Sequence, residues 1–369
     1  MVEPASSDLA ASSNLAASSD LAASSDLAAS SAGPSYVPQL LARSGHTASF
    51  FGLVKLPVRL SGGDRERIPL DDGGSVTLHW WSAARLPVRS ARPIVLLVHG
   101  INNSSDTPYL QYAMRHLEQS GLVAATVNMR GHGHDNHITT SRFYTARADD
   151  DLRAVCEHIR RTRAPPALYA VGFSMGANQL LCFLGGGGGC ALVDAAVAIS
   201  CPFDLARVNE HLHHGGAVPR LYGLIIAQPL KLMLLHARRH LPLSAAQLRA
   251  GLASTSVEEF DAAVQVPLLG LRDVAEYYEH SSCCAHLAAI DVPLLVVHAR
   301  DDPLIPGWLF ERAAGAALRA NPHATVIVTD RGGHIGWLAG KTPIRESWTD
   351  RLCSRFFERQ QGGGATAKL

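Results

Sequence analysis

The stretch ALYAVGFSMGANQLLCFL, residues 167–184, decides the fold of this chain. An apolar run at 167–171 predicts a strand, and a second apolar run at 177–184 predicts a helix. Between them lies Gly172-Phe-Ser174-Met-Gly176, a G-x-S-x-G sequence. Between a strand and a helix, this sequence is typical of a sharp turn that raises the serine hydroxyl above the edge of a sheet. The turn is so tight that side chains at the two glycine positions would clash with their neighbours. The pattern therefore predicts Ser174 as a nucleophile.

The rest of the chain alternates strands and helices around this turn. Continuous apolar runs predict strands that are buried on both faces. Alternation of such strands with helices favours a mostly parallel sheet flanked by helices. The further predicted strands are 93–98, 122–127, 193–199, 292–297 and 324–328, and the further predicted helices are 108–120 and 149–162.

The segment 204–282 interrupts the alternation, because it lies between two predicted strands and contains no clear strand itself. An insertion there would cover the carboxyl ends of the strands, where ligands bind in α/β sheets. We therefore predict a helical lid at 204–282, inserted between two parts of the core at 35–203 and 283–360. Residues 5–31 repeat the unit ASSDLA, which buries little area, so a disordered low-complexity tail is predicted at 1–34 and a flexible one at 361–369.

A serine hydroxyl needs a base, and in this type of fold the acid and then the histidine follow the serine along the chain. His334, within Gly332-Gly-His-Ile-Gly336, follows the last predicted strand and is the preferred base. His323 is the alternative, although it precedes that strand. After strand 292–297 stand Asp301 and Asp302, either of which could accept the histidine Nδ1–H. In related hydrolases the acid stands just before a turn of the form x-apolar-apolar-Pro, which favours Asp302 and leaves Asp301 open.

A developing oxyanion needs backbone N–H donors. The residue after the nucleophile, Met175, is expected to supply one. The loop after His99-Gly100 is expected to supply the other, at Ile101.

Composition excludes several other classes of protein. The formal net charge is +1 and no block of like charge occurs, so nucleic acid is not an expected partner. Histidines cluster at 132, 134 and 137 and at 211, 213 and 214, but neither cluster has cysteine partners or HExxH spacing. We expect no metal and no organic cofactor. The seven scattered cysteines and the start of the sequence, which lacks a secretory pattern, favour a cytoplasmic protein.

A set of further motifs is spread over residues 36–357. They include Tyr36-Val-Pro, Ser44-Gly-His-Thr47, Asn128-Met-Arg-Gly131, Val171-Gly-Phe-Ser-Met-Gly-Ala-Asn178, Cys201-Pro-Phe-Asp204, Glu259-Phe-Asp261, Tyr277-Tyr278 and His298-Ala-Arg-Asp-Asp-Pro303. In these motifs the sequence resembles the YheT-like branch, also called AB hydrolase four, of the α/β-hydrolase superfamily. The resemblance implies an α/β-hydrolase fold, an esterase, acylglycerol lipase or phospholipase activity, and Ser174, the Asp301/Asp302 pair and His334 at the catalytic positions.

The expected activity is hydrolysis of carboxylic esters through an acyl-enzyme on Ser174. The expected substrates are acyl lipids or medium-chain esters. Acyl transfer to an alcohol and a non-catalytic scaffold that kept the fold are the alternatives. Within the lid, residues 221–235 are strongly apolar and are flanked by arginines. Two interpretations of this segment stay open. It is either an ordinary lid core packed on the main domain, or it forms an acyl-chain tunnel and makes peripheral contact with a membrane, with Leu230 and Leu234 among the residues expected to meet acyl chains or lipid.

Overall fold

The computed structural model describes residues 35–39, 42–55, 63–81, 89–134, 136–339 and 346–362. The predicted tail at 1–34 lies outside the described residues, and so do residues 363–369 of the second predicted tail.

A single sheet of eight strands forms the centre of the described core, in the order β1-β2-β4-β3-β5-β6-β7-β8. The strands from β4 to β8 in this order are parallel, whereas β2 is antiparallel to both β4 and β1. The predicted α/β-hydrolase fold with a mostly parallel sheet is thus confirmed. The strands are β1 Arg65–Pro69, β2 Ser75–Trp80, β3 Ile94–Val98, β4 Val123–Asn128, β5 Leu168–Phe173, β6 Ala195–Ile199, β7 Leu294–Ala299 and β8 Ala324–Thr329; a separate pair is β9 Leu338–Ala339 with β10 Glu346–Ser347.

Burial explains which strands could be recognised in the sequence. Every residue of β3, β4, β5, β6 and β7 is buried, so these strands read as uninterrupted apolar runs. The first strand reads Arg-Glu-Arg-Ile-Pro, lies at the edge of the sheet and is largely exposed. The sequence analysis did not predict β1 or β2. A charged edge strand such as β1 carries no such run, and in β2 the polar residues Ser75, Thr77 and His79 alternate with the apolar ones and interrupt it.

Helices cover the sheet and also include one near the beginning of the described chain. Packed pairs include α2 with α13 and α3 with α4. Outside the segment between β6 and β7 the helices are α1 Gly45–Leu53, α2 Pro108–Gln119, α3 Asp149–Arg163, α4 Met175–Gly185, α11 Gly307–Phe310, α12 Ala316–Ala320 and α13 Trp348–Gln361.

The segment between β6 and β7 is helical. Its members are α5 Leu205–His214, α6 Ala217–Ala237, α7 Ala245–Ala253, α8 Val257–Ala263, α9 Gln265–Leu269 and α10 Val274–Ser281. Helix α6 is long and apolar enough to cross a membrane, but one such helix is weak evidence of a span, and 28% of its most apolar window is buried.

The packing of α6 corrects one expectation. Leu230 and Leu234 are 2% and 0% exposed and belong to the main hydrophobic core. The side of α6 that carries these two leucines packs against the core, so they cannot meet a lipid surface. Its apolar residues on the outer side include Leu221, Ile225 and Leu232, each 55% exposed.

Candidate active site

The predicted nucleophile lies at the tight turn between β5 and α4. Ser174 has φ 50° and ψ −121°, a conformation that L-residues rarely adopt. A Cβ at Gly172 would clash with the Cα of Ala177, and one at Gly176 would clash with the carbonyl oxygen of Val98. Both glycines are therefore required for the turn to pass this close to its neighbours.

Three side chains from three separate loops meet above this turn. The Ser174 Oγ lies 2.8 Å from His334 Nε2, and His334 Nδ1 lies 2.8 Å from Asp302 Oδ2. All three residues are at least nine-tenths buried. A carboxylate can only accept, so Nδ1 carries the proton and Nε2 is left to accept from the serine hydroxyl. In this arrangement the imidazole can take the serine proton and remain paired with a negative charge.

Asp302 is held in place by its second oxygen. Its Oδ1 accepts from the amides of Leu304 at 2.9 Å and Ile305 at 3.0 Å. Burial acts to raise the pKa of Asp302, but the adjacent His334 outweighs it and the net pKa lies below the usual value. The carboxyl group is therefore ionised at neutral pH.

The competing residues lie elsewhere. Asp301 Oδ1 accepts from the Gly333 amide at 2.9 Å, and its Oδ2 lies 3.8 Å from Arg331. Burial raises the pKa of Asp301. His323 is exposed at the start of β8, where its amide donates to Asn321. The geometry thus favours Asp302 and His334, while their catalytic roles remain predictions.

Two serines that the sequence analysis did not single out hold the loop of His334. The Ser49 Oγ, on α1, accepts from the His334 amide at 2.7 Å and donates to the Gly45 carbonyl at 2.6 Å. The Ser200 Oγ, after β6, accepts from the Ile335 amide at 3.2 Å. Neither serine belongs to a recognisable motif, and Ser49 lies 285 residues from its partner. The only sequence signal near Ser49 was the family-like motif Ser44-Gly-His-Thr47.

The two residues predicted for the oxyanion hole lie beside the nucleophile. Ile101 and Met175 line the same cavity as Ser174 and His334. Within the described part of the chain, neither backbone amide donates a hydrogen bond, so both remain free for a ligand oxygen. The loop of Ile101 is tied to the helical segment, because the Asn102 side chain donates to the Ile226 carbonyl at 2.7 Å.

The cavity in front of Ser174 is predominantly apolar. Its volume is about 140 Å³. Side chains from α1, α5, α6 and the loop before α11 form half of its lining, so the helical segment borders the site. The apolar members of the lining include Leu53, Pro202, Leu205, Val208, Leu212, Ile226, Leu304 and Ile305. Such a cavity suits an acyl chain better than a polar substrate.

The histidine clusters have different surroundings from those of a metal site. His132 is buried, its Nδ1 bonds the Arg130 carbonyl, and burial lowers its pKa well below the usual value. His134 is 83% exposed. In the described ranges, no group of three or more histidine, cysteine or acidic side chains is arranged to hold a metal ion.

Comparison with known proteins agrees with the α/β-hydrolase fold. A family profile described as alpha/beta hydrolase family matches residues 95–346. The embryogenesis-associated protein EMB8 of Picea glauca is 30% identical over 80% of this chain and 65% of its own length. The putative esterase YheT of Escherichia coli is 27% identical over 77% of this chain and 82% of its own. Among solved structures, the Pyrococcus furiosus esterase Pf2001 shares the fold, with a TM-score of 0.51 and 16% identity over 83% of this chain and 97% of that one.

Proposed function

The chain belongs to the alpha/beta hydrolase family, and from this premise we propose that it is an esterase- or lipase-type hydrolase that cleaves carboxylic esters through an acyl-enzyme on Ser174. The observation that carries the proposal is the hydrogen-bonded chain from Ser174 through His334 to the buried Asp302. A buried carboxylate aligned in this way fixes the imidazole tautomer that can accept the serine proton.

The reaction proceeds in two halves. His334 Nε2 takes the Ser174 proton while Oγ attacks the ester carbonyl carbon, and the oxyanion is held by the amides of Ile101 and Met175. The intermediate collapses, the bond to the alcohol oxygen breaks, and His334 returns the proton to the departing alcohol. A water molecule then loses a proton to His334 and attacks the acyl carbon. The second intermediate collapses, the bond between Ser174 Oγ and the acyl carbon breaks, and His334 returns the proton to Oγ as the carboxylic acid leaves.

The proposed substrates are acyl lipids or medium-chain esters. The apolar wall of the cavity supports an acyl chain, and relatives of this chain include proteins named phospholipase ABHD3 of Homo sapiens and monoacylglycerol lipase of Saccharomyces cerevisiae. We further propose that the outer face of α6 touches a lipid surface, since it exposes Leu221, Ile225 and Leu232 and the same helix contributes Ile226 to the lining of the cavity. The protein would then associate peripherally with membranes.

A fluorophosphonate probe and a panel of p-nitrophenyl esters test the enzymatic proposal. The wild type should be labelled and should hydrolyse the esters, whereas Ser174→Ala should do neither while keeping its melting temperature. If the wild type is not labelled, the protein is a scaffold that has kept the fold. If it is labelled but transfers the acyl group to an added alcohol in preference to water, it is an acyltransferase.

Vesicle binding tests the lipid surface. The double variant Leu221→Asp/Ile225→Asp should bind anionic vesicles more weakly than the wild type, and its activity on a soluble acetate ester should be unchanged. Leu235→Asp, at the far end of the same helix and 40% exposed, shows how far the contact extends. Unchanged vesicle binding by the double variant would remove the lipid-facing role of α6.

A further inference from the structure

A second, smaller cavity adjoins the one in front of Ser174. Its volume is about 30 Å³, enough for about one or two small groups the size of a water molecule. Ile101 and Met175, the residues of the proposed oxyanion hole, line both cavities. Leu205, Asn209 and Val257 also line both. The two spaces are therefore neighbouring parts of one site.

The smaller cavity brings together a larger share of polar side chains than the larger one, although apolar side chains also line it. Asp261, on α8, is 6% exposed, and its Oδ2 accepts from the Tyr278 hydroxyl at 3.2 Å. Tyr144 is 4% exposed, and its hydroxyl has no hydrogen-bond partner among the described residues. A side-chain interaction with Gln179 acts to lower the Tyr144 pKa, although the two groups do not meet with full hydrogen-bond geometry in this structure, where the Tyr144 hydroxyl and the Gln179 Oε1 are both unpartnered.

Asp261 is suited to an uncharged ligand. Burial raises its pKa to about 8, so at neutral pH the carboxyl group is protonated and can both donate and accept a hydrogen bond. The negative charge of Glu258 also acts to raise the Asp261 pKa. An anion would be repelled by such surroundings, and a cation would first have to displace the proton.

Other polar groups of this cavity have hydrogen-bond partners within the protein, which separates them from the Tyr144 hydroxyl. The Gln265 side chain donates to the Tyr144 carbonyl at 2.7 Å, and the Tyr277 hydroxyl accepts from the Ala146 amide at 3.1 Å. These contacts fasten the loop before α3 to the helical segment. A buried hydroxyl left without a partner is costly, so the Tyr144 hydroxyl points to a ligand that completes it.

We propose that the cavity formed by Asp261, Tyr144 and Tyr278 is a subsite that hydrogen-bonds a neutral hydroxyl group of the ester substrate. This inference rests on the proposed esterase function and names a chemical feature of its substrates. The hydroxyl can belong to the acyl chain or to the alcohol portion, because the subsite adjoins the oxyanion residues rather than one end of the apolar cavity.

Two matched pairs of esters test the proposal. The first pair is p-nitrophenyl hexanoate and its hydroxyhexanoate analogues, which place the hydroxyl on the acyl side. The second is propyl hexanoate and glyceryl monohexanoate, which place it on the alcohol side. For one pair the wild type should show a higher kcat/KM on the hydroxylated member. Because a buried polar group left unpaired costs a factor of about ten or more, Tyr144→Phe and Asp261→Leu should each reduce that preference about tenfold.

Three controls keep the outcome interpretable. Asp261→Asn, which keeps a donor and an acceptor, should retain the preference. Tyr169→Phe alters another buried tyrosine, on β5, and should change nothing on either ester. Because Asp261→Leu could fail to fold, its melting temperature is measured, and Tyr144→Phe alone suffices for the test. A wild type that hydrolyses both members of each pair equally, or a preference untouched in Tyr144→Phe, overturns the subsite and leaves the esterase proposal intact. Absence of any hydrolysis overturns the esterase proposal instead.

Discussion

The adjacent pair Asp301 and Asp302 offers a sharp test of the site. In Asp302→Asn, the two amides that bind Oδ1, those of Leu304 and Ile305, would keep the amide oxygen in the same place. The new NH₂ group would then face His334 Nδ1 at the 2.8 Å now spanned by a carboxylate. Two donors cannot face each other, so the ring must shift its proton to Nε2 and can no longer accept from Ser174.

The expected loss in kcat for Asp302→Asn is about 10³- to 10⁴-fold. At 1.36 kcal/mol per tenfold, this is a rise of about 4 to 5.5 kcal/mol in the activation barrier. Asp301→Asn, in contrast, keeps an acceptor for the Gly333 amide and loses only a distant pairing with Arg331, whose side chain is 51% exposed. The kcat of Asp301→Asn should therefore stay within about threefold of the wild-type value, because ion pairs with an exposed partner contribute little.

The assay is steady-state hydrolysis of p-nitrophenyl hexanoate by both variants, with melting temperatures measured in parallel. KM should change little in either variant, since neither carboxylate lines the apolar cavity. A larger loss in Asp301→Asn than in Asp302→Asn, with both proteins folded, would refute the assignment of the acid.

Three further predictions concern other parts of the chain. Ser49→Ala leaves the buried His334 amide without its acceptor, which should cost the folded protein about 1–3 kcal/mol of stability. Because the loop of His334 is then less firmly held, kcat should fall several-fold at constant KM. The control Ser44→Ala removes only the N-cap of α1 and should lower the melting temperature without changing kcat. Because the pKa of Asp261 is raised to about 8, the folded protein keeps a proton that the unfolded chain loses near pH 4, so stability should decline as pH rises between about 4 and 8. Urea denaturation should show that decline in the wild type and a flatter profile in Asp261→Asn; equal slopes would contradict the raised pKa. Deleting residues 2–33, the predicted tail, should leave melting temperature and ester hydrolysis nearly unchanged, and a large drop in either would show that the repeat contributes to the fold.

The sequence could predict those parts of the fold that depend on local patterns. Strands such as β3 and β5 are apolar throughout because both faces are covered, and the turn at Ser174 has its own glycine spacing. The order of residues after Ser174 indicated His334 and the Asp301/Asp302 pair, and the turn that follows the pair favoured Asp302.

Features that depend on distant contacts could not be predicted. The face that α6 turns inward depends on the core beneath it, so apolar composition alone did not separate the buried Leu234 from the exposed Ile225. The support of His334 by Ser49 joins residues 285 positions apart, and no local pattern marks either partner of such a bond. The cavity around Asp261 likewise combines residues from segments far apart in the sequence, among them the loop of Tyr144 and the helices α8 and α10.

The contact between α1 and the loop of His334 has a consequence for the order of events during synthesis. Helix α1 is the first helix of the described chain to leave the ribosome, and the loop it supports is among the last segments. A Cβ at Gly333 would collide with the Gly45 carbonyl oxygen, so these two segments must fit closely. Contacts between residues so far apart in sequence form slowly and late in folding. Hydrolytic activity should therefore be the last property to appear during refolding, after the sheet has formed, and can serve as a reporter of complete folding.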